Sequence, residues 1–194
     1  MNIGILALQG NYYQHKTVLD ILGIKNTLIR HAKHLDKCDS LIIPGGESTA
    51  ISKLIDNNKL RNILIDFAMN NPILGTCAGM IMLSTSVPTD NMVPLNIMDF
   101  QVKRNAWGGQ VHSFSEDIYL NFDKSRSFHA VFIRAPKINR IGKGLQVLST
   151  YNDEPILVSD GMHIVSAFHP EIGNDYRIHE HFINHIHGRI PSLS

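Results

Sequence analysis

The sequence predicts a three-layer α/β/α fold built on a mostly parallel sheet with an antiparallel extension. Three observations predict it. Short apolar runs alternate with helical segments through the first half of the chain, as βαβ units do. Three of the turns along this stretch carry glycine, at Gln9-Gly10, at Gly45-Gly46 and from Gly75 to Gly79. From about Val93 the pattern changes to short strands separated by turn residues, closed by one more helical segment.

Bulk properties narrow the class. The 194 residues suit one domain, 1–194, with a substantial core. Hydrophobic residues make up 43% and charged residues 18%, the balance of a folded chain rather than a disordered one. A formal charge of +1 gives no electrostatic reason for nucleic acid as a partner. No apolar run reaches transmembrane length, so no membrane partner is expected. The start, Met1 to Leu8, lacks the basic residues and cleavage site of a signal peptide. With Cys38 and Cys77 the only cysteines, a reduced, cytoplasmic chain is expected.

Taken in order, Asn2–Leu8 reads as a buried strand ending in Gln9-Gly10. Tyr12–Leu22 is helical by its apolar positions at Tyr12, Val18, Leu19 and Leu22, with Gly23 as the stop. Asn26–Ile29 and Ser40–Ile43 are short strands, the latter running into Pro44-Gly45-Gly46-Glu47-Ser48-Thr49. Ser52–Met69 is helical. Later strands fall at Val102–Gln110, Ala130–Pro136, Leu145–Tyr151, Ile156–Ser159 and His163–Phe168, and Tyr176–His187 is a closing helix. In parallel sheets ligands bind at the carboxyl ends of the strands, so the three glycine turns should be neighbours.

The chemistry centres on Gly75-Thr76-Cys77-Ala78-Gly79, between an apolar strand and an apolar helix. This is the shape of a nucleophile elbow with sulfur in place of oxygen. The flanking glycines remove Cβ atoms from a tight turn, and a helix N-terminus favours the thiolate. A base is available at Phe168-His169-Pro170-Glu171. Residues two apart on an extended chain share a face, so Glu171 can orient His169, and Pro170 stiffens the pair. Cys77, His169 and Glu171 then form a triad for nucleophilic acyl transfer. The backbone N–H of Ala78 and that of Gly46 are the natural oxyanion donors.

Taken together, Leu6-Ala7-Leu8-Gln9-Gly10, Pro44 to Thr49, Gly75 to Gly79, Arg104-Asn105, Phe132-Ile133-Arg134-Ala135-Pro136 and Phe168 to Glu171 resemble one family. These segments are similar to the glutaminase subunits of pyridoxal 5′-phosphate synthases, within the class I (triad) glutamine amidotransferases. The resemblance runs over nearly the whole chain and implies a flavodoxin-like fold. It implies hydrolysis of L-glutamine to L-glutamate and ammonia, with no cofactor. It also implies a synthase subunit as partner in a large hetero-oligomer, taking the ammonia into pyridoxal 5′-phosphate synthesis. Glutamine would be held by Gly46, Glu47, Ser48, Arg104, Ile133 and Arg134, and Gln9 and Gly10 would couple the site to the partner. An arginine fork suits the substrate's α-carboxylate, and an acidic side chain suits its α-ammonium. One departure is Gly109, where the family usually has arginine.

Two alternatives stay open from sequence. One is the glutaminase subunit of another synthase, such as imidazole glycerol phosphate synthase, and the other is a catalytically silent regulatory subunit. No metal site is expected. His179, His181, His185 and His187 read as one solvated helix, because His179-Glu180 has Ile183 where an H-E-x-x-H site needs its second histidine. Cys38 has no base in sequence reach and is expected to be inert.

Overall fold

A computed structural model of the chain describes residues 1–88, 92–104, 107 and 113–188. In chain order the first half contains β1 (Asn2–Leu6), α1 (Tyr12–Ile21), β2 (Lys25–Ile29), β3 (Ser40–Ile43), α2 (Ser48–Asn57), α3 (Arg61–Ala68), β4 (Ile73–Thr76) and α4 (Ala78–Leu83). The second half adds β5 (Phe100–Lys103), β6 (Ser113–Leu120), β7 (Asp123–Ile133), β8 (Lys137–Ile141), β9 (Gln146–Tyr151), β10 (Glu154–Ser159), β11 (Ile164–Ser166) and α5 (Arg177–His187). A 3₁₀ segment, Ala32–Lys37, links β2 to β3.

Among the described residues, seven strands form the main sheet in the order β2-β1-β3-β4-β11-β10-β9. The first five run parallel, while β10 is antiparallel to both its neighbours. Every residue of β1, β3, β4 and β11 is buried, so these strands carry no polar-out alternation. The step from β1 to β2 goes one way across the sheet, and the step from β3 to β4 goes the other. With right-handed crossovers, α1 covers one face while α2 and α3 cover the opposite one. The helix α5 shares the face of α1, to which it is joined by a hydrogen bond between His15 and His179. This is the three-layer, mostly parallel architecture with an antiparallel extension that the alternation of elements predicts.

The core lies on both sides of the sheet. Ile3, Ile5, Leu41, Ile42, Leu74 and Val165 are fully buried in the strands, and Leu19, Ile55 and Phe182 cover them from the helices. Each such side chain contributes roughly 1.5–3 kcal/mol on burial. Among the described residues no helix is long and apolar enough to cross a membrane.

Two elements show where the structure departs from the sequence reading. The helical stretch expected at Ser52–Met69 is two helices, α2 starting earlier at Ser48 and α3 following a break where Lys59 takes φ +55°. The start at Ser48 is made by Glu47, whose carboxylate accepts from the N–H groups of Thr49 and Ala50 at 3.0 and 2.6 Å. The strand expected at Ala130–Pro136 is the end of a longer hairpin, β6 with β7, whose exposed outer positions (Ser113, Ser115, Asp117) obscure it in sequence. The turn between β9 and β10 falls at Asn152-Asp153, both with positive φ, as a two-residue hairpin loop requires.

Candidate active site

The site is assembled at the carboxyl ends of four adjacent strands, β1, β3, β4 and β11, beside the point where strand order reverses. Hydrogen bonds lace these ends together. The N–H of Asn11 donates to the Gly45 carbonyl at 2.8 Å. That of Gly45 donates to Thr76 Oγ1 at 3.1 Å, and that of Cys77 to the Ser166 carbonyl at 2.8 Å. The three glycine turns are therefore neighbours, as expected. Gly10 has φ +94°, and a Cβ there would fall 2.0 Å from the Gly45 carbonyl oxygen, so only glycine allows the first two turns to touch.

Cys77 stands at the start of α4 with φ +50° and ψ −102°, a strained conformation for a residue with a side chain. The surroundings hold it there, since all six residues of α4 are buried. A Cβ added to Gly79, two residues on, would meet the Ile43 carbonyl oxygen at 1.9 Å, so the elbow closes directly against β3. The Cys77 thiol points toward the end of β7 and donates to the Ile133 carbonyl at 3.6 Å.

His169 follows β11 and is held by its own N–H, which donates to the Val131 carbonyl at 2.9 Å. Its ring and Cys77 crowd the same glycine: a Cβ on Gly45 would lie 2.4 Å from His169 Cε1 and 3.2 Å from Cys77 Cβ. On its far side, His169 Nδ1 is 2.7 Å from Glu171 Oε1. Burial opposes charge on the imidazole. Hydrogen bonding to Cys77 and Glu171, with the charge of Glu171, outweighs it and raises His169 to about 10. Glu171 is 5% exposed, and burial favours its neutral form. The His15 and His169 rings beside it prevail and hold its carboxyl down at about 2.

Cys77 and His169 open onto a cavity of about 430 Å³, a size typical of small-molecule sites. Gln9, Gly10, Gly46, Glu47, Ser48, Arg104, Ile133 and Arg134 also line it. Glu171 and Ala78 do not: Glu171 lies behind His169, and Ala78 begins α4 under the sulfur. Arg104 donates to Thr49 Oγ1 at 3.0 Å and lies 3.3 Å from Glu47 Oε1. Gln9 Oε1 accepts from the Glu47 N–H at 2.9 Å, so the turn after β1 is tied to the start of α2. Arg134 takes φ +46° at the cavity rim. Asn105 and Gly109 lie outside the described residues.

Sequence reasoning passed over a second set of side chains behind Glu171. Asn11 Nδ2 donates to Glu171 Oε1 at 3.3 Å, and His15 Nε2 lies 3.4 Å from Glu171 Oε2. His15 and His179 are both fully buried, which corrects the reading of the closing histidines as one solvated face. His179 falls on the packed side of α5 with Ile178, Phe182, Ile183 and Ile186, while His187 faces out. The signal was present in α1: His15 stands four before Leu19 and seven before Leu22, on the apolar stripe. The two cysteines are unpaired, and burial together with Asp39 raises Cys38 to about 11, so that thiol stays protonated at neutral pH.

Comparison with solved structures gives the class. A crystal structure of a glutamine amidotransferase superposes with a TM-score of 0.90 at 39% identity, covering 95% of this chain and 98% of that one. The PurLQS structure from Thermotoga maritima shares the fold alone, at a TM-score of 0.70 and 13% identity over 97% of this chain and 98% of that one. The fold is that of the class I glutamine amidotransferases. Residues 5–188 match the model of the SNO glutamine amidotransferase family, and the chain belongs to that family. Its curated relatives include the pyridoxal 5′-phosphate synthase subunit PdxT of Thermosipho africanus, 41% identical over 95% of this chain and 98% of the relative. The proteins of the same name from Desulforamulus reducens and Moorella thermoacetica are 40% and 41% identical, each over 96% of this chain and 100% of the relative.

Proposed function

We propose that the chain hydrolyses L-glutamine to L-glutamate and ammonia and delivers the ammonia to the synthase subunit of a pyridoxal 5′-phosphate synthase. The observation that carries the reading is the buried His169–Glu171 pair at 2.7 Å, set beside a cysteine on a strained elbow at the mouth of a 430 Å³ cavity. Family membership and the PdxT relatives support glutamine as the amide and the synthase as the acceptor.

In this mechanism Cys77 passes its thiol proton to His169 as its Sγ attacks the side-chain carbonyl carbon of glutamine, giving a tetrahedral oxyanion that the N–H groups of Gly46 and Ala78 stabilise. His169, protonated, gives its proton to the departing amine, and a γ-glutamyl thioester remains on Cys77. Water then attacks the thioester, His169 takes its proton, and glutamate leaves as the thiol re-forms. Glu171 fixes the tautomer of His169 through Nδ1 and balances the imidazolium charge. Arg104, Arg134, Glu47, Ser48, Gly46 and Ile133 hold the amino-acid end of the substrate. Gln9 and Gly10, bonded or packed against the Gly45–Glu47 turn, couple that turn to the docked synthase. A cytoplasmic location belongs to the same reading, supported by two buried, unpaired cysteines.

The test is ammonia release from glutamine by this chain with and without the synthase subunit. Release that requires Cys77 and feeds the synthase product supports the reading. No release in the complex overturns it.

A further inference from the structure

Behind the Cys77–His169–Glu171 line the structure continues with two more ionisable side chains, both in the interior. His15, on α1, and His179, on α5, are each 0% exposed. Their rings meet through His15 Nδ1 and His179 Nε2 at 3.0 Å. His15 Nε2 lies 3.1 Å from Thr76 Oγ1 and 3.4 Å from Glu171 Oε2. Neither His179 Nδ1 nor Glu171 Oε2 has a hydrogen-bond partner among the described residues; His15 Nε2 approaches Oε2 without the alignment of a hydrogen bond. Burial lowers both imidazoles, so each is neutral and carries one N–H.

The proton positions follow from these contacts. If His15 carried its hydrogen on Nδ1, His179 would carry one on Nδ1 too, leaving a buried donor with nothing to bond. His15 would then turn a lone pair toward the Glu171 carboxylate. The reverse arrangement avoids both costs. His179 Nε2–H donates to His15 Nδ1, and His15 Nε2–H donates to Thr76 Oγ1 with the Glu171 carboxylate beside it at 3.4 Å. The bare atom is then His179 Nδ1, an unpartnered acceptor. Thr76 Oγ1 also accepts from the Gly45 N–H, so one hydroxyl joins this pair to the turn that faces the sulfur.

We propose that His15, its tautomer set by His179, is a positioning residue that directs an N–H toward Glu171 and keeps that carboxylate ionised and aligned behind His169. The proposal rests on the glutaminase reading above and deepens it. The groups that face His15 are Glu171 and His169 from the segment after β11, Thr76 from β4 and His179 from α5. Asn11, at the start of α1, supplies a further donor to Glu171.

The test compares wild type, His15→Leu, His15→Gln and His15→Asn in complex with the synthase subunit. Gln can place an amide N–H near the position of Nε2, and Leu cannot. His15→Leu is expected to lower kcat about tenfold or more with KM within about twofold, and to move the acid limb of the kcat/KM profile up by about one pH unit. His15→Gln is expected to recover most of the rate and to return the limb. A second readout is the pH profile of Cys77 alkylation by iodoacetamide in a Cys38→Ser background, which needs neither glutamine nor the synthase. The same upward displacement is expected there for His15→Leu. If the wild-type complex releases no ammonia, the glutaminase reading fails while the alkylation profile still tests His15. Unchanged profiles in His15→Leu, or equal losses in Leu and Gln with an unmoved limb, overturn the proposal. Should His15→Leu not fold, His15→Asn carries the test, since an asparagine amide sits near the position of Nδ1 and cannot reach Glu171. An upward displacement supports the proposal and no displacement overturns it.

Discussion

Nδ1 of His169 and Oε1 of Glu171 lie 2.7 Å apart in a part of the protein where the two residues are only 3% and 5% exposed. A charged pair so placed contributes to stability as well as to chemistry. His169 is raised above its ordinary 6.5 to about 10, so its contribution is complete below 6.5 and is lost as pH climbs toward 10. Glu171 is lowered from 4.5 to about 2, so its contribution is complete above 4.5 and is lost as pH falls toward 2. The pair therefore stabilises the fold most between about pH 4.5 and 6.5. Thermal unfolding followed across pH should show this plateau in wild type, and Glu171→Gln should flatten the decline above 6.5. The same variant keeps the shape but not the charge, and kcat for ammonia release is expected to fall by about 10²–10⁴.

Cys77→Ala is expected to abolish glutamine hydrolysis, by at least about 10³-fold, with the fold retained. Cys38→Ser is expected to leave the rate unchanged, because the Cys38 thiol is held at about 11 and lies outside the cavity. Mass spectrometry after brief treatment with a glutamine-like chloroketone at pH 7.5 should find the label on Cys77. Label on Cys38 alone would contradict the assignment.

The glycine turns make a sharper test. Gly10→Ala must place a methyl 2.0 Å from the Gly45 carbonyl at φ +94°, and a loss of about 1–3 kcal/mol or more in unfolding free energy is expected, with reduced activity. Gly161 also has positive φ, at +85°, but a Cβ there meets nothing within 4 Å. Gly161→Ala should cost only the backbone strain, about 1 kcal/mol, and leave kcat and KM alone. Equal costs at the two positions would show that contact between the first two turns is unimportant.

Arg104 spans the cavity rim to Glu47 and Thr49. Arg104→Ala is expected to raise KM for glutamine about tenfold or more with a smaller change in kcat, the pattern of lost substrate binding. Arg104→Lys should recover little, because an ammonium cannot offer the paired N–H groups of a guanidinium. Steady-state kinetics in the complex decide it; an unchanged KM would leave Arg104 a purely structural partner of Glu47.

Much of this was legible in the residue string. Apolar runs with no alternation marked β1, β3 and β4 as covered on both faces, and glycine after them marked the sheet edge where the site lies. Gly75 to Gly79 and Phe168 to Glu171 carry their chemistry locally, so both were readable without knowing how the chain folds. The His15–His179 pair was not, because 164 positions separate the two and only packing of α5 beside α1 makes them neighbours. The β6–β7 hairpin escaped for a different reason. Its exposed positions are filled by serine, aspartate and lysine, and long-range pairing rather than local preference makes it a strand. Glu47 also has a role that the motif did not announce: its carboxylate caps α2 and pairs with Arg104.

The pairing of β11 with β4 matches Ser166 to Thr76, one residue before the sulfur and three before the imidazole. A slip of two residues would keep the same side chains facing the same way, yet carry His169 roughly 6–7 Å along the strand. The same slip would break the bond from the Cys77 N–H to the Ser166 carbonyl. Turnover therefore counts molecules whose central strands have zipped in the right alignment, and a refolded sample can be graded by its catalytic titre as well as by its spectrum.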